Sequence, residues 1–209
     1  MRKRKISPQN AGLALVFVTA LLKWLLVDYL NLRVIFIPII ISTWGSLIIY
    51  NKKQNSNYFI DAGFGKLGLK TSLFPVFVYI LSLSGLLLGY AKLFHIQVFS
   101  KNLFVAMALY PIWGLIQQFI VMNFVLTPLR DKQLSKPLVI AVSALAFGSI
   151  HLPDLQLFIA TVIAGVFFSL IFYRYKNLWP LGFAHGILAS LLYYWYLNLD
   201  PIQDIFKFL

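Results

Sequence analysis

The stretch QLFIATVIAGVFFSLIFY at residues 156–173 contains eighteen consecutive residues without a charged side chain. At 1.5 Å per residue, a helix of this length extends about 27 Å, close to the ~30 Å of hydrocarbon in a bilayer. Six further apolar stretches have similar composition, at residues 11–30, 33–50, 71–91, 103–128, 138–152 and 178–198. The sequence therefore predicts an all-α, polytopic membrane helix bundle with about seven transmembrane helices.

The composition of the 209-residue chain is that of a protein embedded in lipid. Hydrophobic residues make up 60% of the chain and charged residues only 11%, too little charge for the surface of a soluble domain. Cysteine and glutamate are absent, so disulfides and thiolate metal sites are excluded and every acid is an aspartate. The net charge of +12 would suit nucleic-acid binding, but the basic residues lie in short clusters between apolar runs. We therefore expect membrane lipid, and no nucleic acid, as a partner.

The distribution of lysine and arginine predicts how the chain is oriented in the membrane. With the N-terminus inside, the cytoplasmic segments hold Arg2, Lys3, Arg4, Lys5, Lys52, Lys53, Lys66, Lys70, Arg130, Lys132, Lys136, Arg174 and Lys176. The opposite side then holds only Arg33, Lys92, Lys101 and Lys207. This asymmetry favours seven crossings with an inside N-terminus. A basic start before an apolar run also resembles a secretory signal, but without a convincing small-residue cleavage site an uncleaved helix fits better.

Four polar side chains inside the apolar stretches are candidates for function. Gln117 and Gln118 lie in the fourth stretch, His151 ends the fifth, and His185 lies in the seventh. Polar groups are costly in hydrocarbon and usually face a partner or a water-filled cavity. Each of them alone is explained equally well by interhelical hydrogen bonding. Because they occupy three different stretches, we expect them to converge on one polar chamber.

Other polar residues have structural interpretations. Lys23 is expected to snorkel or to pair with Asp28, and Asn123 is a candidate interhelical hydrogen bonder. Asp154 is expected to cap the N-terminus of the sixth helix. The glycine-rich linker at residues 51–70 is expected to form an interfacial loop or a short amphipathic piece.

Two short motifs lie in separate apolar stretches. The first reads Phe147-Gly-Ser-Ile-His151, and the second begins at His185 and ends at Ala189. Their order and spacing resemble the CPBP intramembrane proteases, also called the Abi or CAAX-protease family, which includes the type II CAAX prenyl endopeptidases. The family pattern is Glu-Glu-x-x-x-Arg, then Phe-x-x-x-His, then His-x-x-x-Asn on successive conserved spans.

The sequence departs from the family pattern at the positions where chemistry is expected. Gln117 and Gln118 occupy the two glutamate positions, Met122 the arginine position and Ala189 the asparagine position. The resemblance implies that the first glutamate position activates water and that the asparagine position supports the oxyanion. A carboxamide can orient water but exchanges no proton near neutral pH.

The resemblance implies that His151 and His185 position water or a divalent metal such as zinc. Imidazole titrates near neutrality, so the two histidines could also serve as base and acid. Two neutral ligands without carboxylate or thiolate make a poor zinc site. Phe147, Ala189 and Asn123 are expected to support a pocket for a membrane-anchored or lipidated peptide.

The rise of an α-helix gives an expected depth for each candidate. Gln117 and His185 are predicted to lie about 9–10 Å from the inner face, whereas His151 is predicted about 20 Å from it. His151 can therefore reach the depth of Gln117 and His185 only if the fifth helix begins before Leu138 or tilts strongly.

Three classes of function remain open from the sequence. The first is an intramembrane endopeptidase whose core spans residues 104–197 and follows N-terminal transmembrane helices and a loop at 1–103, all within a single membrane domain. The second is a catalytically impaired relative that binds a membrane peptide or partner as a chaperone, scaffold or immunity factor. A transporter or channel would predict intramembrane carboxylates or inverted repeats, and neither is evident. For either of the first two, we expect a bacterial-type plasma membrane.

Overall fold

The computed structural model describes residues 8–203, with side chains described from residue 11 onward, and these residues form helices without any strand. The N-terminal basic cluster of residues 2–5, and Lys207, lie outside the described residues. The α-helices are α1 (Pro8–Leu22), α2 (Arg33–Gln54), α3 (Leu69–Leu93), α4 (Lys101–Val121), α5 (Thr127–Asp131), α6 (Lys136–Ser149), α7 (Leu155–Tyr175) and α8 (Trp179–Trp195). The prediction of an all-α, polytopic membrane helix bundle is confirmed.

Three short segments have the wider π-helical hydrogen bonding, at Lys23–Tyr29, Ile60–Phe64 and Met122–Leu126, and the second of them is broken at Gly63, whose φ of 104° is not helical. The first continues α1, and the third joins α4 to α5 in one continuous helix, Lys101–Asp131. Segments of this kind are rare in proteins. Those that do occur are found frequently at functional sites.

Five helical stretches are long and apolar enough to cross a membrane: Ala11–Tyr29, Arg33–Gln54, Ile60–Leu93, Lys101–Asp131 and Leu155–Tyr175. They coincide with five of the seven predicted stretches. The other two stretches form α6, with 14 residues, and α8, with 17 residues. Helices of these lengths extend about 21 and 26 Å, less than a bilayer core of ~30 Å. The protein is thus a multi-pass membrane protein, and full crossing by α6 and α8 stays a prediction.

The described residues divide into two compact units, each built from segments distant in the chain. The first unit combines the described part of Met1–Ala62 with Phe119–Arg174. The second combines Gly63–Gln118 with the described part of Tyr175–Leu209.

In the first unit, α1 packs against α2, and both α1 and α6 pack against the third π-helical segment. Trp44 of α2 donates Nε1–H to Thr19 Oγ1 over 3.1 Å, and its ring centre lies 5.0 Å from that of Phe124. Gly165 of α7 allows close approach to α6, because a Cβ there would lie 2.9 Å from Ala144 Cα. The helices of this unit therefore pack through aromatic and small residues.

In the second unit, α3 packs along α8. The core at one end of these helices contains Ala91, Leu103, Ala106, Leu191, Tyr194, Trp195 and Ile202. Trp195 donates Nε1–H to the Val98 carbonyl over 2.8 Å, which ties the end of α8 to the α3–α4 connection.

The linker between α2 and α3 contains the second π-helical segment and two glycines with left-handed backbone. Gly63 has φ 104° and Gly68 has φ 69°, a region that side-chain-bearing residues rarely adopt. Gly68 also lies directly against the Tyr175 carbonyl, where any side chain would overlap the backbone. The glycines therefore serve a tight turn and a close approach rather than flexibility.

Candidate functional site

The central polar contact of the second unit joins Gln118 on α4 to His185 on α8. Gln118 Nε2 lies 3.2 Å from His185 Nδ1, and the exposed fractions of the two side chains are 0% and 8%. The structure therefore brings together two of the four residues that the sequence predicts to share a polar chamber.

Glycines permit this contact by letting α4 and α8 approach closely. A Cβ on Gly114 would lie 2.7 Å from the Gly182 carbonyl oxygen and 3.0 Å from His185 Cβ. A Cβ on Gly182 would lie 2.7 Å from Leu115 Cα, and one on Gly186 would overlap the backbone of Pro111. Small residues at helix interfaces allow such approach inside membranes. The glycines thus position the glutamine–histidine pair.

The carbonyl oxygens of the two neighbouring glutamines are buried. Neither Gln117 Oε1 nor Gln118 Oε1 makes a hydrogen bond within the described part of the chain. A buried acceptor without a donor costs about 1–3 kcal/mol. Both oxygens are therefore acceptors suited to a water molecule or to the N–H groups of a bound peptide.

His151 lies in the first unit, in the turn that follows α6. The helix ends at Ser149, so the expectation that His151 closes the fifth helix is wrong by two residues. His151 Nδ1–H donates to the Phe147 carbonyl over 3.2 Å, and the two rings meet edge to face with centres 5.6 Å apart. Because the proton of the neutral imidazole is then on Nδ1, His151 Nε2 carries a lone pair.

The convergence of His151 with the other three residues stays a prediction. Gln117, Gln118 and His185 belong to the second unit, whereas His151 belongs to the first. The α6 helix begins at Lys136, two residues before the start of the predicted stretch. An earlier start is one of the two conditions under which His151 would reach the depth of Gln117 and His185.

The remaining predicted pocket residues have defined surroundings. Phe147 is buried and lies edge to face with Phe168, with ring centres 6.3 Å apart. Asn123 Nδ2 donates to the Ala62 carbonyl over 3.0 Å and to the Phe119 carbonyl over 3.1 Å, which confirms its hydrogen bond to another element. Ala189 is half-buried on α8 and contributes no polar group.

Two other predicted polar interactions are confirmed in the first unit. Lys23 Nζ lies 2.8 Å from Asp28 Oδ2, and it also donates to the Leu152 carbonyl over 2.7 Å. Asp154 Oδ1 accepts the Leu157 N–H over 3.0 Å and caps α7. The contact with Leu152 ties the first π-helical segment to the turn that carries His151.

Asn177, in the connection between α7 and α8, was not singled out by the sequence. Its side chain is fully buried, and Nδ2 donates to the carbonyls of Gly65 and Leu67 over 2.8 and 3.0 Å. Beside it, Trp179 Nε1–H donates to the Phe64 carbonyl over 3.0 Å. These bonds hold the start of α8 against the glycine linker, and the available signal was an asparagine in the short polar connection between two apolar stretches.

The described residues do not fit a zinc centre. They contain no group of three or more His, Cys, Asp or Glu side chains able to hold a metal ion. A catalytic zinc site uses three protein ligands, including a carboxylate or thiolate unless all three are histidines. His185 meets a carboxamide instead, so metal ligation by His151 and His185 stays a prediction that this donor set disfavours.

The glutamine–histidine pair can hold the imidazole in either neutral tautomer. With Gln118 Nε2 donating to Nδ1, His185 carries its proton on Nε2. Rotation of the amide by 180° would let His185 Nδ1–H donate to Oε1 and leave a lone pair on Nε2. A carboxamide orients a catalytic histidine in the Cys-His-Asn proteases, so this second arrangement is chemically competent.

The fold and these polar contacts define an all-helical, multi-pass membrane protein with a buried histidine–glutamine pair. Residues 99–191 match the family model described as type II CAAX prenyl endopeptidase Rce1-like. This match confirms the resemblance to the CPBP/CAAX-protease family that the motifs predict. No curated protein and no solved structure matches the chain.

Proposed function

We propose that the protein binds a prenylated or otherwise membrane-anchored peptide and hydrolyses it slowly, with His185 as the base and Gln118 as the residue that orients it. The observation that supports this proposal is the buried contact between Gln118 and His185. The family match supports the proposed substrate class, because its description names CAAX prenyl endopeptidases. Placement in a bacterial-type plasma membrane remains part of the proposal.

The hydrolytic step uses the tautomer in which His185 carries its proton on Nδ1 and a lone pair on Nε2. Nε2 removes a proton from water as the oxygen adds to the scissile carbonyl carbon. The resulting tetrahedral intermediate then collapses as Nε2–H protonates the leaving nitrogen, so that the proton is returned. Gln118 Oε1 holds Nδ1–H throughout and fixes the ring orientation.

The rate of this reaction is expected to be low. A carboxamide cannot replace a glutamate as general base, and general acid–base catalysis contributes about 10²–10⁴-fold. Ala189 supplies no donor for the oxyanion, and removal of one such donor costs about 10²–10³-fold. We therefore expect single-turnover hydrolysis to be measurable where multiple turnover is not.

The second candidate function is peptide binding without hydrolysis. It is favoured by the two buried oxygens, Gln117 Oε1 and Gln118 Oε1, which can accept N–H donors from a peptide backbone. Their affinity for such donors would be independent of pH, because a carboxamide does not titrate near neutrality.

One experiment separates the two functions. The full chain in proteoliposomes, in excess over a fluorescent farnesylated peptide with a CAAX terminus, is assayed for binding and for single-turnover cleavage. We expect slow cleavage by the wild type, loss of cleavage in His185→Ala, and an increase of at least about 10²-fold in Gln117→Glu or Gln118→Glu. His95→Ala, which changes an exposed histidine, is the matched control.

Each result has a distinct meaning. Binding without cleavage in the wild type and in both glutamate variants would leave the binding function alone. Absence of both binding and cleavage would contradict both candidates. His151→Ala tests the predicted convergence, because it should lower cleavage only if His151 shares the chamber.

A further inference from the structure

Two cationic side chains from different helices converge on one tyrosine ring. Arg130 Cζ lies 6.0 Å, and Lys136 Nζ 5.6 Å, from the centre of the Tyr173 ring. Arg130 is in the last turn of α5, Lys136 begins α6, and Tyr173 is close to the end of α7. We call these three residues the Tyr173 cluster, and all of them lie in the first unit.

Positive charge around this cluster exceeds negative charge. Lys132 and Arg174 add two exposed basic residues near the same helix ends. The acid in this part of the sequence is Asp131, whose Oδ1 lies 3.9 Å from the Arg130 guanidinium. An aromatic ring face attracts cations but carries no net charge, so it gathers Arg130 and Lys136 without neutralising them. The arrangement is suited to a further anion.

The cluster lies where lipid headgroups are expected. Lys101–Asp131 and Leu155–Tyr175 are both candidate membrane spans, and the cluster lies at the ends of both. Three leucines close to the cluster in the sequence are exposed, Leu134 by 38%, Leu138 by 47% and Leu170 by 39%. Leu170 lies one helical turn before Tyr173 on the same face of α7, so a ligand at the cluster would have an exposed apolar side chain beside the basic groups.

We propose that the Tyr173 cluster binds the phosphate of an anionic phospholipid, with acyl chains along the exposed leucines. Arginine presents a planar fork that matches phosphate oxygens, and lysine adds a compact charge beside it. Free inorganic phosphate would satisfy the charges but not the apolar side chains, so the combination favours a lipid. This proposal does not depend on peptide hydrolysis.

The test measures binding of a fluorescent phosphatidylglycerol to the purified full chain in neutral detergent. Anionic membrane surfaces attract each nearby Lys or Arg enough to change affinity about fivefold. We therefore expect the Arg130→Gln, Lys136→Gln double variant to bind phosphatidylglycerol about 25-fold more weakly than the wild type. The matched control is Lys92→Gln with Lys101→Gln, which removes the same charge from exposed positions on α3 and α4 and should leave binding unchanged.

Several results would overturn the proposal. They are equal binding by the wild type and the double variant, an equal loss in the control variant, equal binding of phosphatidylcholine, or displacement by millimolar inorganic phosphate. Thermal unfolding without lipid checks that the double variant is folded. If it is not, Lys136→Gln alone should still weaken binding about fivefold, and unchanged binding would count against the site. Loss of lipid binding with normal peptide cleavage would leave the proposed function intact.

Discussion

Gln118 Nε2 lies 3.2 Å from His185 Nδ1, and both side chains are buried at the contact between α4 and α8. The family pattern has a carboxylate at the position of Gln118. A carboxylate beside an imidazole forms a charged pair in the low dielectric of a membrane protein, with a desolvation cost. The carboxamide keeps a neutral hydrogen bond and the helix contact while removing the acid–base group.

Substitution of the glycine at the centre of this contact should separate α4 from α8. A Cβ at Gly186 would overlap the backbone of Pro111, whereas one at Gly85 would meet nothing within 4 Å. We expect Gly186→Ala to lower the free energy of unfolding by about 1–3 kcal/mol. Gly85→Ala, the matched control on α3, should raise it by about 0.5–1 kcal/mol. Reversible unfolding in mixed micelles measures both, and similar values for the two variants would contradict the packing argument.

Removal of the Asn177 side chain should destabilise the start of α8. In Asn177→Leu, the carbonyls of Gly65 and Leu67 each lose a hydrogen bond, and the net contribution of such a bond is about 0.5–1.5 kcal/mol. Trp179→Phe removes only the bond to the Phe64 carbonyl and should cost about 1 kcal/mol. The same unfolding measurement provides both values, and a larger loss in Trp179→Phe than in Asn177→Leu would show that the linker is held otherwise.

The helices were predictable because each apolar stretch must satisfy its backbone internally in lipid, so composition and length define it. The pairing of Lys23 with Asp28 and the cap at Asp154 were also predictable, since both depend on residues close in sequence. Contacts between segments that are distant in the sequence were not predictable. Nothing in the sequence indicates that Asn177 bonds to residues more than a hundred positions earlier.

The sequence predicted which residues belong to the candidate site, but not how they contact one another. The motif spacing selected Gln118 and His185, and their contact depends on the glycines that bring α4 to α8. The end of α6 was misplaced because the apolar pattern continues through Ile150 and Leu152, whereas the helix ends at Ser149. The turn that follows contains Pro153, which disfavours the helical conformation in the residue before it.

The pairing of Lys23 with Asp28 can be tested with a double-mutant cycle. Lys23→Met removes the partner of Asp28 and the donor to the Leu152 carbonyl, and should lower the free energy of unfolding by about 1–3 kcal/mol. Adding Asp28→Asn should recover part of this loss, because the uncompensated carboxylate is then absent. Lys53→Met, at an exposed position near the end of α2, is the control and should have little effect. Simple additivity of the two substitutions would exclude the coupling.

Asp200 follows α8 and joins it to the start of α4. Its carboxylate accepts the Tyr194 hydroxyl over 2.5 Å, Asn102 Nδ2 over 2.8 Å, and the N–H groups of Ile202 and Gln203, each over 3.1 Å. Burial alone would raise the pKa of Asp200, but these hydrogen bonds outweigh it and the pKa lies below its ordinary value.

A lowered pKa in the folded state makes stability depend on pH. The unfolded chain binds a proton at Asp200 near the ordinary pKa of about 3.9, whereas the folded chain binds it only at lower pH. The contribution of Asp200 should therefore be fully present above about pH 5 and be lost as pH falls through the folded pKa. Unfolding measured between pH 7 and pH 3 should show a steeper loss for the wild type than for Asp200→Asn. Tyr194→Phe and Asn102→Leu each remove one donor and should give intermediate slopes, and parallel curves for all four proteins would refute the assignment.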